Sequence, residues 1–486
     1  MNLRKALLGI LVLGLAGCSL APFYQRPALP TAASYPGLED AGGVTAPSVD
    51  QVGWRDFFAD LRLQEVIAQA LANNRDLRLA MARVEEARGL YGVQRADQFP
   101  NISGVATGEK YRLPADFSPT GNSLTAEQYS ATLSLSAWEL DFWGRVRNLT
   151  AAALESYLAT DAARRAVVVS LVAEVANTYL LERELDELVT IAESTLASRK
   201  ESHRIMRLRY EVGSGSKMDA VQAETLLNSA RTDLAALQRR RDTTRNALTL
   251  LVGAPQGVEP QPLSQVEPGF AQELAVGLPS DLLLNRPDVI AAEHRLMGAN
   301  ANIGAARAAF FPRIVLIGGT GTASAELEDL FGAGSGVWSF SPSVTLPIFE
   351  GGRNVANLNV AEARRELALA EYERTIQGAF RDVADALAAR RWLATQLTAQ
   401  QAALIAQTER KRLAGLRYQS GAAPYFELLD AERDRFIAEQ ALVQTRRALL
   451  ASSVNLYAAL GGGTAARAPA AEPLKAPVAP RELEQE

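Results

Sequence analysis

Tyr129-Ser130-Ala131-Thr132-Leu133-Ser134-Leu135-Ser136-Ala137 alternates with a period of two: Tyr129, Ala131, Leu133, Leu135 and Ala137 face one way, and four hydroxyl residues face the other. A second stretch, 338–348, repeats the pattern, with Trp338, Phe340, Pro342, Val344, Leu346 and Ile348 opposing Ser339, Ser341, Ser343 and Thr345. Strands of about ten residues, apolar outside and hydroxyl-lined inside, are what a bilayer-spanning barrel requires. A soluble half-buried sheet alternates in the same way, so the alternation alone leaves both open. Pro342 and Pro347 count against regular central strands. Weaker, glycine-rich partner strands lie near 102–111 and 314–323, and the connecting segments 112–128 and 324–337 read as exposed loops. That makes about four strands, whereas the smallest membrane barrels use about eight. If these strands enter lipid, several chains must share one barrel.

Outward from the strands, the chain is written twice. Arg95-Ala96-Asp97-Gln98-Phe99-Pro100 returns as Arg307-Ala308-Ala309-Phe310-Phe311-Pro312, a shift of 212. Arg209-Tyr210-Glu211-Val212-Gly213 returns as Arg417-Tyr418-Gln419-Ser420-Gly421, and Leu251-Val252-Gly253 as Ala459-Leu460-Gly461, both at a shift of 208. Each arm of about 200 residues reads as helix, strand pair, very long helix and shorter helix. The first helices are expected over 61–97 and 281–309, each ended by a Phe-Pro step. The long helices, 149–212 and 355–420, contain no proline, and each would extend about 90 Å. Val168, Val175, Val189 and Leu196 recur every seven residues, interrupted by Glu182. Ile376, Val383, Leu397 and Leu404 do the same, interrupted by Arg390. The last helix carries two adjacent stripes, one through Leu429, Val443, Leu450 and Tyr457, the other through Leu428, Leu442, Leu449 and Leu456. Such repeats are coiled-coil seams, and two on one helix predict neighbours on both sides.

Composition excludes several chemistries. The 486 residues carry a net charge of −5, two histidines (His203 and His294) and one cysteine, Cys18. That excludes a Cys/His zinc site and a disulfide framework, and mild acidity disfavours nucleic acid as a partner. Gly332-Ala333-Gly334-Ser335-Gly336 lacks the Lys-Ser/Thr of a phosphate loop, and Gly213-Ser214-Gly215-Ser216-Lys217 lacks its spacing. No catalytic constellation, metal site or cofactor is expected, so the chain does not read as an enzyme. At the start, Arg4 and Lys5 precede an apolar run too short to span a bilayer. The string Leu15-Ala16-Gly17-Cys18 then resembles the lipobox of bacterial lipoproteins. On that reading residues 1–17 form a signal peptide and Cys18 is the lipidated N-terminus. Ser19, where a retention signal would place Asp, points to the outer membrane. No other segment is apolar enough for a transmembrane helix, so any crossing must be by β-strands in a closed barrel.

Taken in order, many short strings resemble the outer-membrane efflux channels of the OprM/TolC type. They include Tyr24-Gln25-Arg26-Pro27, Asn73-Asn74-Arg75-Asp76-Leu77, Trp138-Glu139-Leu140-Asp141, Arg286-Pro287-Asp288, Leu346-Pro347-Ile348-Phe349 and Asn455-Leu456-Tyr457. The resemblance implies a mostly α fold with a membrane β-barrel: a homotrimer sharing twelve strands, continued by a long periplasmic α-barrel with an equatorial collar. The domains expected are 1–17 signal, 18–70 lipid anchor and collar segment, 71–253 first repeat, 254–280 collar linker, 281–463 second repeat, and 464–486 disordered tail. The implied function is passive conduction of drugs and other small molecules out of the cell. A periplasmic adaptor and an inner-membrane RND-type pump are the partners, and the energy comes from the pump.

A conduit needs a gate. The turns at Gly213 and Gly421, where the long helices end, are the expected periplasmic tip. Phe426 and Asp430 are four apart and share a helix face. Three copies would form an apolar ring and an acidic ring, and such rings gate by excluding water and favour cations. The resemblance assigns Glu427 and Asp430 to the family's acidic constriction and Tyr418, beside Arg417, to its closed-state latch, with Tyr210 and Asp219 as first-arm counterparts. The sequence departs from the family at Phe426, where an aliphatic residue is usual. Two other readings stay open: a protein-secretion exit duct, and a structural periplasmic coiled-coil lipoprotein that would lack the barrel strands.

Overall fold

The computed structural model describes residues 19–36, 52–118, 121–255, 263 and 281–462. Cys18, the signal segment, most of the 254–280 linker and the tail from 463 lie outside the described residues. The helices are α1 (Trp54–Phe57), α2 (Leu61–Asn73), α3 (Arg75–Ala96), α4 (Arg145–Glu211), α5 (Lys217–Val252), α6 (Leu282–Asn285), α7 (Pro287–Ala308), α8 (Arg353–Gln419) and α9 (Tyr425–Ala459). The strands are β1 (Ile102–Leu113), β2 (Leu124–Glu139), β3 (Arg313–Ser324) and β4 (Gly336–Thr345). Both α4 and α8 have 67 residues, about 100 Å each. None of the described helices is long and apolar enough to cross a membrane. The chain forms two compact units.

Of the described residues, the first unit comprises 19–28, 82–118, 121–161 and 291–374. Its centre is an antiparallel sheet in the order β1-β2-β3-β4. The register places Ser103 opposite Ser134 and Thr107 opposite Ser130, and these hydroxyls bond across the strands at 3.1 and 2.7 Å. Ser339, Ser341 and Ser343 join that face through β3, while Leu133, Leu135, Trp338, Phe340 and Val344 share the other. Strand β3 departs from the pattern: Thr320 and Thr322 stand on the apolar face, with Gly319 and Gly321 on the hydroxyl side. Trp338 is 80% exposed. Ala137, at positive φ, lies where the register slips between Leu135 and Trp138, a bulge that bends β2 at its end.

Below the sheet, the Asp141 carboxylate accepts from the Val146 and Arg147 amides at 2.9 and 2.7 Å, capping α4. Glu139 binds Arg145 and Arg313 at 2.7 and 2.6 Å, which joins the end of β2 to the starts of α4 and β3. Residues 19–26 are fastened to α7: Arg26 reaches both Glu293 oxygens at 2.7 and 2.9 Å, and Asn300 donates to the Pro22 carbonyl at 2.7 Å.

Of the described residues, the second unit comprises 29–36, 52–81, 162–255, 263, 281–290 and 375–462. Leu180, Leu185, Leu188 and Val175 of α4 are almost fully buried. The acidic run after Leu181 is paired rather than idle: Glu182 with Arg245 of α5 at 2.8 Å, Glu184 with Arg447 of α9 at 2.7 Å, and Glu187 with Arg446 at 3.6 Å. The interruption of the heptad stripe at Glu182 is thus a charged layer that fixes helix register. Helix α9 does have neighbours on both sides, α4 through Arg199–Glu432 (2.8 Å) and α8 through Arg417–Glu427 (3.1 Å). The α1 segment docks on the end of α9, with Phe57 stacked on Tyr457 at 4.2 Å and the Tyr457 hydroxyl donating to the Val52 carbonyl.

Three expectations need correction. The helix expected over 61–97 breaks at Asn74, whose amide donates to the Leu251 carbonyl and whose oxygen accepts from the Leu77 amide. One side chain thus ends α2 and caps α3. Its counterpart breaks at Arg286, before Pro287. The supposed loops are shorter, because strand pairing continues to Leu113↔Leu124 and Thr322↔Gly336. Strand β4 stops at Thr345, so Pro347 and Ile348 lie beyond it, whereas Pro342 is kept within β4, opposite Leu316 of β3.

Asp60 caps α2 through the Arg62 and Leu63 amides and accepts from the Tyr179 hydroxyl at 2.8 Å. Asp60→Ala is expected to cost about 1–2 kcal/mol, seen as a lower thermal midpoint in detergent, with Asp60→Asn closer to wild type. Equal midpoints for Asp60→Ala and wild type would show that the cap does not matter.

Candidate functional site

The long helices end in the same way. The Gly213 amide donates to the Tyr210 carbonyl (3.0 Å) and the Ser214 amide to the Arg209 carbonyl (2.8 Å). Gly421 and Ala422 do the same to Tyr418 and Arg417. Both glycines sit at φ near +76°, at 75° and 77°. This is the Schellman cap, which needs a residue without a Cβ penalty. The Arg-Tyr pairs singled out in the sequence are therefore the residues whose carbonyls close each cap, and the turn fixes where their side chains start.

Beyond the caps the two arms differ. Arg417 reaches across its own turn to Glu427 at 3.1 Å. Arg209, its counterpart, instead crosses to the other arm and donates to the Tyr418 hydroxyl at 2.5 Å. Tyr418 also lies against Tyr425, ring centroids 5.1 Å apart. Both rings belong to the small apolar cluster of Met206, Ala223 and Leu429. Burial of Tyr425 raises its pKa, so its hydroxyl stays neutral here.

Asp430 is not a bare acid. Arg410 holds one of its oxygens at 2.8 Å and Arg433 the other. The same two guanidiniums hold Asp434, Arg410 at 2.5 Å and Arg433 at 3.0 Å. Sequence reading missed Arg410, Arg433 and Asp434. The spacing of Asp430, Arg433 and Asp434 is visible along one helix, but Arg410 arrives from α8 across the turn. Phe426 is 58% exposed, and so is its counterpart at the 208 shift, Met218, at 72%. Tyr210 is 45% exposed, and Asp219 lies in the first turn of α5, behind the Ser216 cap. Among the described residues neither Tyr210 nor Asp219 joins the Tyr418 cluster.

Known proteins share this architecture. The family model "Outer membrane efflux protein" matches residues 66–254 and 278–462. The chain belongs to the outer membrane efflux protein family. It is 44% identical over 464 residues to the solvent efflux pump outer membrane protein SrpC of Pseudomonas putida, covering 94% of this chain and 98% of the relative. It is 43% identical to the outer membrane protein OprJ of Pseudomonas aeruginosa, over 95% of this chain and 97% of the relative. Among solved structures, the open state of the Neisseria gonorrhoeae MtrE outer membrane channel superposes with a TM-score of 0.83 at 40% identity, covering 92% of this chain and 99% of that one. This efflux protein is thus an outer-membrane channel protein in architecture, mostly helical with one four-stranded sheet.

Arg410 and then Arg433 hold the Asp434 carboxyl below its ordinary value of 3.8. A lowered pKa contributes stability above the unfolded value and loses it as pH falls through the folded one. The α8–α9 tip should therefore keep its protection from hydrogen exchange between about pH 7 and about pH 5, and loosen only in acid below about pH 4. Loosening already at about pH 5 would contradict these pairings.

Proposed function

We propose that this efflux protein is the passive exit duct of a tripartite pump. Three copies pool their four-stranded sheets into a twelve-stranded barrel, and α4, α5, α8 and α9 of each copy supply twelve helices to a periplasmic α-barrel. The sheet's one-sidedness carries this reading: hydroxyls bond to each other on one face while Trp338, Phe340 and Val344 stand exposed on the other. An exposed apolar sheet face of this kind fits lipid, and a hydroxyl face fits a wet bore. The duct carries out no reaction. An inner-membrane RND-type pump supplies energy and selects cargo, drugs and solvents among it, and a periplasmic adaptor joins pump to duct. Cys18 carries the lipid anchor, residues 28–70 and 254–280 form the collar, and two repeats of about 200 residues build each chain.

The gate lies at the Gly213 and Gly421 turns. Phe426 supplies an apolar constriction, Glu427 and Asp430 the acidic one, and Arg417, Tyr418, Tyr210 and Asp219 surround it. The contacts divide by what they join. Arg417–Glu427 and Arg410–Asp430 lie inside the α8/α9 hairpin and travel with it, whereas Arg209–Tyr418 joins the α4/α5 hairpin to α8 and must break when the hairpins part. Tyr418 is the latch in this reading, and Arg209 is its partner.

In planar bilayers, Asp430→Ala combined with Phe426→Ala is expected to raise single-channel conductance, and Arg209→Ala to raise open probability more than Arg417→Ala. A deletion strain should become hypersusceptible to hydrophobic drugs. Unchanged conductance in the double variant would remove both side chains from the gate, and a purified chain that carries no current would defeat the duct itself.

A further inference from the structure

In the first unit, residues 19–26 lie along α7 as a strap. Glu293, Asn300, Gly304 and Arg307 form the stripe that holds it. A Cβ at Gly304 would stand 2.6 Å from the Ala21 amide nitrogen, so strap and helix meet directly there. Arg295, Asn302 and Ala306 lie two residues on from Glu293, Asn300 and Gly304, about 200° around the helix. That opposite stripe lines a groove of about 650 Å³. Its walls are Leu149, Ala152 and Ser156 of α4 and Asn357, Val360 and Arg364 of α8. These are the same three positions at the 208 shift, so the two long helices turn equivalent faces to one groove with α7 as its floor.

Small side chains give the floor its depth, and only one repeat has them. At the 212 shift, Glu86, Leu90, Val93 and Gln94 stand where α7 has Gly298, Asn302, Ala305 and Ala306. The charge of the groove is one-sided. Among the described residues its lining includes three guanidiniums, Arg145, Arg295 and Arg364, and no carboxylate. Arg145 is held by Glu139 at 2.7 Å, and His294, at the groove's edge, by Glu155 at 2.6 Å. Arg295 and Arg364 are exposed, and among the described residues neither has a carboxylate partner. A volume of this size is that of a small-molecule site, which is mostly apolar with a few fixed polar groups. Two unpaired guanidiniums over an alanine floor select an anion with an apolar body. A carboxylate or sulfonate takes the guanidinium fork, and the body removes Ala299, Ala306 and Val360 from water.

We propose that the α4–α7–α8 groove binds a small amphiphilic anion, with Arg295 and Arg364 on its acid group and the α7 floor under its apolar body. The site stands on its own residues. Its place on the wall of a bore rests on the duct proposed above: the strap follows the lipid-anchored Cys18 and so marks the outer side of α7, which leaves the groove on the inner side. A solute of this class would pause there on its way through.

Equilibrium dialysis of the full chain in a nonionic detergent, against a detergent blank, tests the site with naphthalene-2-sulfonate as the probe. Wild type should bind it saturably, at one site per chain. Arg295→Ala combined with Arg364→Ala should weaken binding about tenfold or more, and the corresponding pair of lysine substitutions should weaken it less. Ala306→Leu, which keeps both charges and fills the floor, should also weaken it. 2-Naphthalenemethanol, the same body without the charge, should bind about tenfold more weakly than the sulfonate. If the double alanine variant does not fold, the two single alanine variants take its place, each with a smaller loss expected. No saturable binding, as when a second copy covers the groove, would overturn the site, and so would wild-type affinity in the alanine variants or in Ala306→Leu. Current in planar bilayers then tests its place. The probe should block wild-type current with a midpoint near the dialysis Kd, and the double alanine variant should need about tenfold more. Binding without block would take the site off the bore and leave the duct intact. A chain that binds the probe but carries no current would defeat the duct and leave the site.

Discussion

Backbone hydrogen bonding in a medium without water is the constraint from which the rest follows. Strands β1 and β4 form the two edges of the sheet, and each leaves a row of N–H and C=O groups facing outward. Lipid cannot satisfy such groups, and each unsatisfied one costs several kcal/mol. Four strands cannot curl far enough to pair their own edges. In the proposed duct the sheet therefore takes its missing strands from other copies, and the number of copies is set at the sheet. The apolar face and the open edges make the same demand by separate routes, one through the hydrophobic effect and one through hydrogen bonding.

The helices meet a different need. In water, a long amphipathic helix is stable only while its seams are covered, and propensity contributes little. The charged layer from Glu182 to Glu187 sets the height at which α4, α5 and α9 meet. A slip of one heptad would leave buried carboxylates without guanidiniums, at a cost far above the net worth of the intact pairs. Such layers add specificity more than stability, which suits helices of 67 residues that could otherwise slide past one another. In the second repeat the acids of that layer are gone, and Trp392 stands in their place.

What could be read from the sequence was whatever repeats along it. Period-two alternation located the strands, the prolineless runs located α4 and α8 to within a few residues, and the double stripe on α9 foretold its two neighbours. What could not be read depended on partners distant in the chain. Asn74 looks like a helix residue until the Leu251 carbonyl is beside it. Residues 124–128 look like loop until β1 pairs with them. At the tip, Asp430 was visible but Arg410, which restrains it from α8, was not, and Arg209 gave no sign that it would abandon its own arm for Tyr418.

That asymmetry bears on how a gate of this construction would work. A ring of free carboxylates would repel itself and favour an open tip, whereas Asp430 clasped by Arg410 and Arg433, and Glu427 paired with Arg417, contribute little net field. In the proposed gate the acids would then not hold the tip open, and at its exposed end the closed state would rest on weak contacts. Exposed charge pairs are worth only about 0–1 kcal/mol each, and Arg209–Tyr418 is an exposed charge-assisted hydrogen bond of similar standing. In the proposed gate a latch so weak would be useful because it would yield to an adaptor docking on the tip. Three such bonds, one per subunit, would add up to a barrier that spontaneous fluctuation crosses rarely and a modest binding energy crosses readily. Each hairpin is internally stapled, and the buried Arg199–Glu432 pair joins α4 to α9 above the tip, so in the proposed gate the soft point falls at the exposed end of that seam, at Arg209–Tyr418, where the two repeats differ.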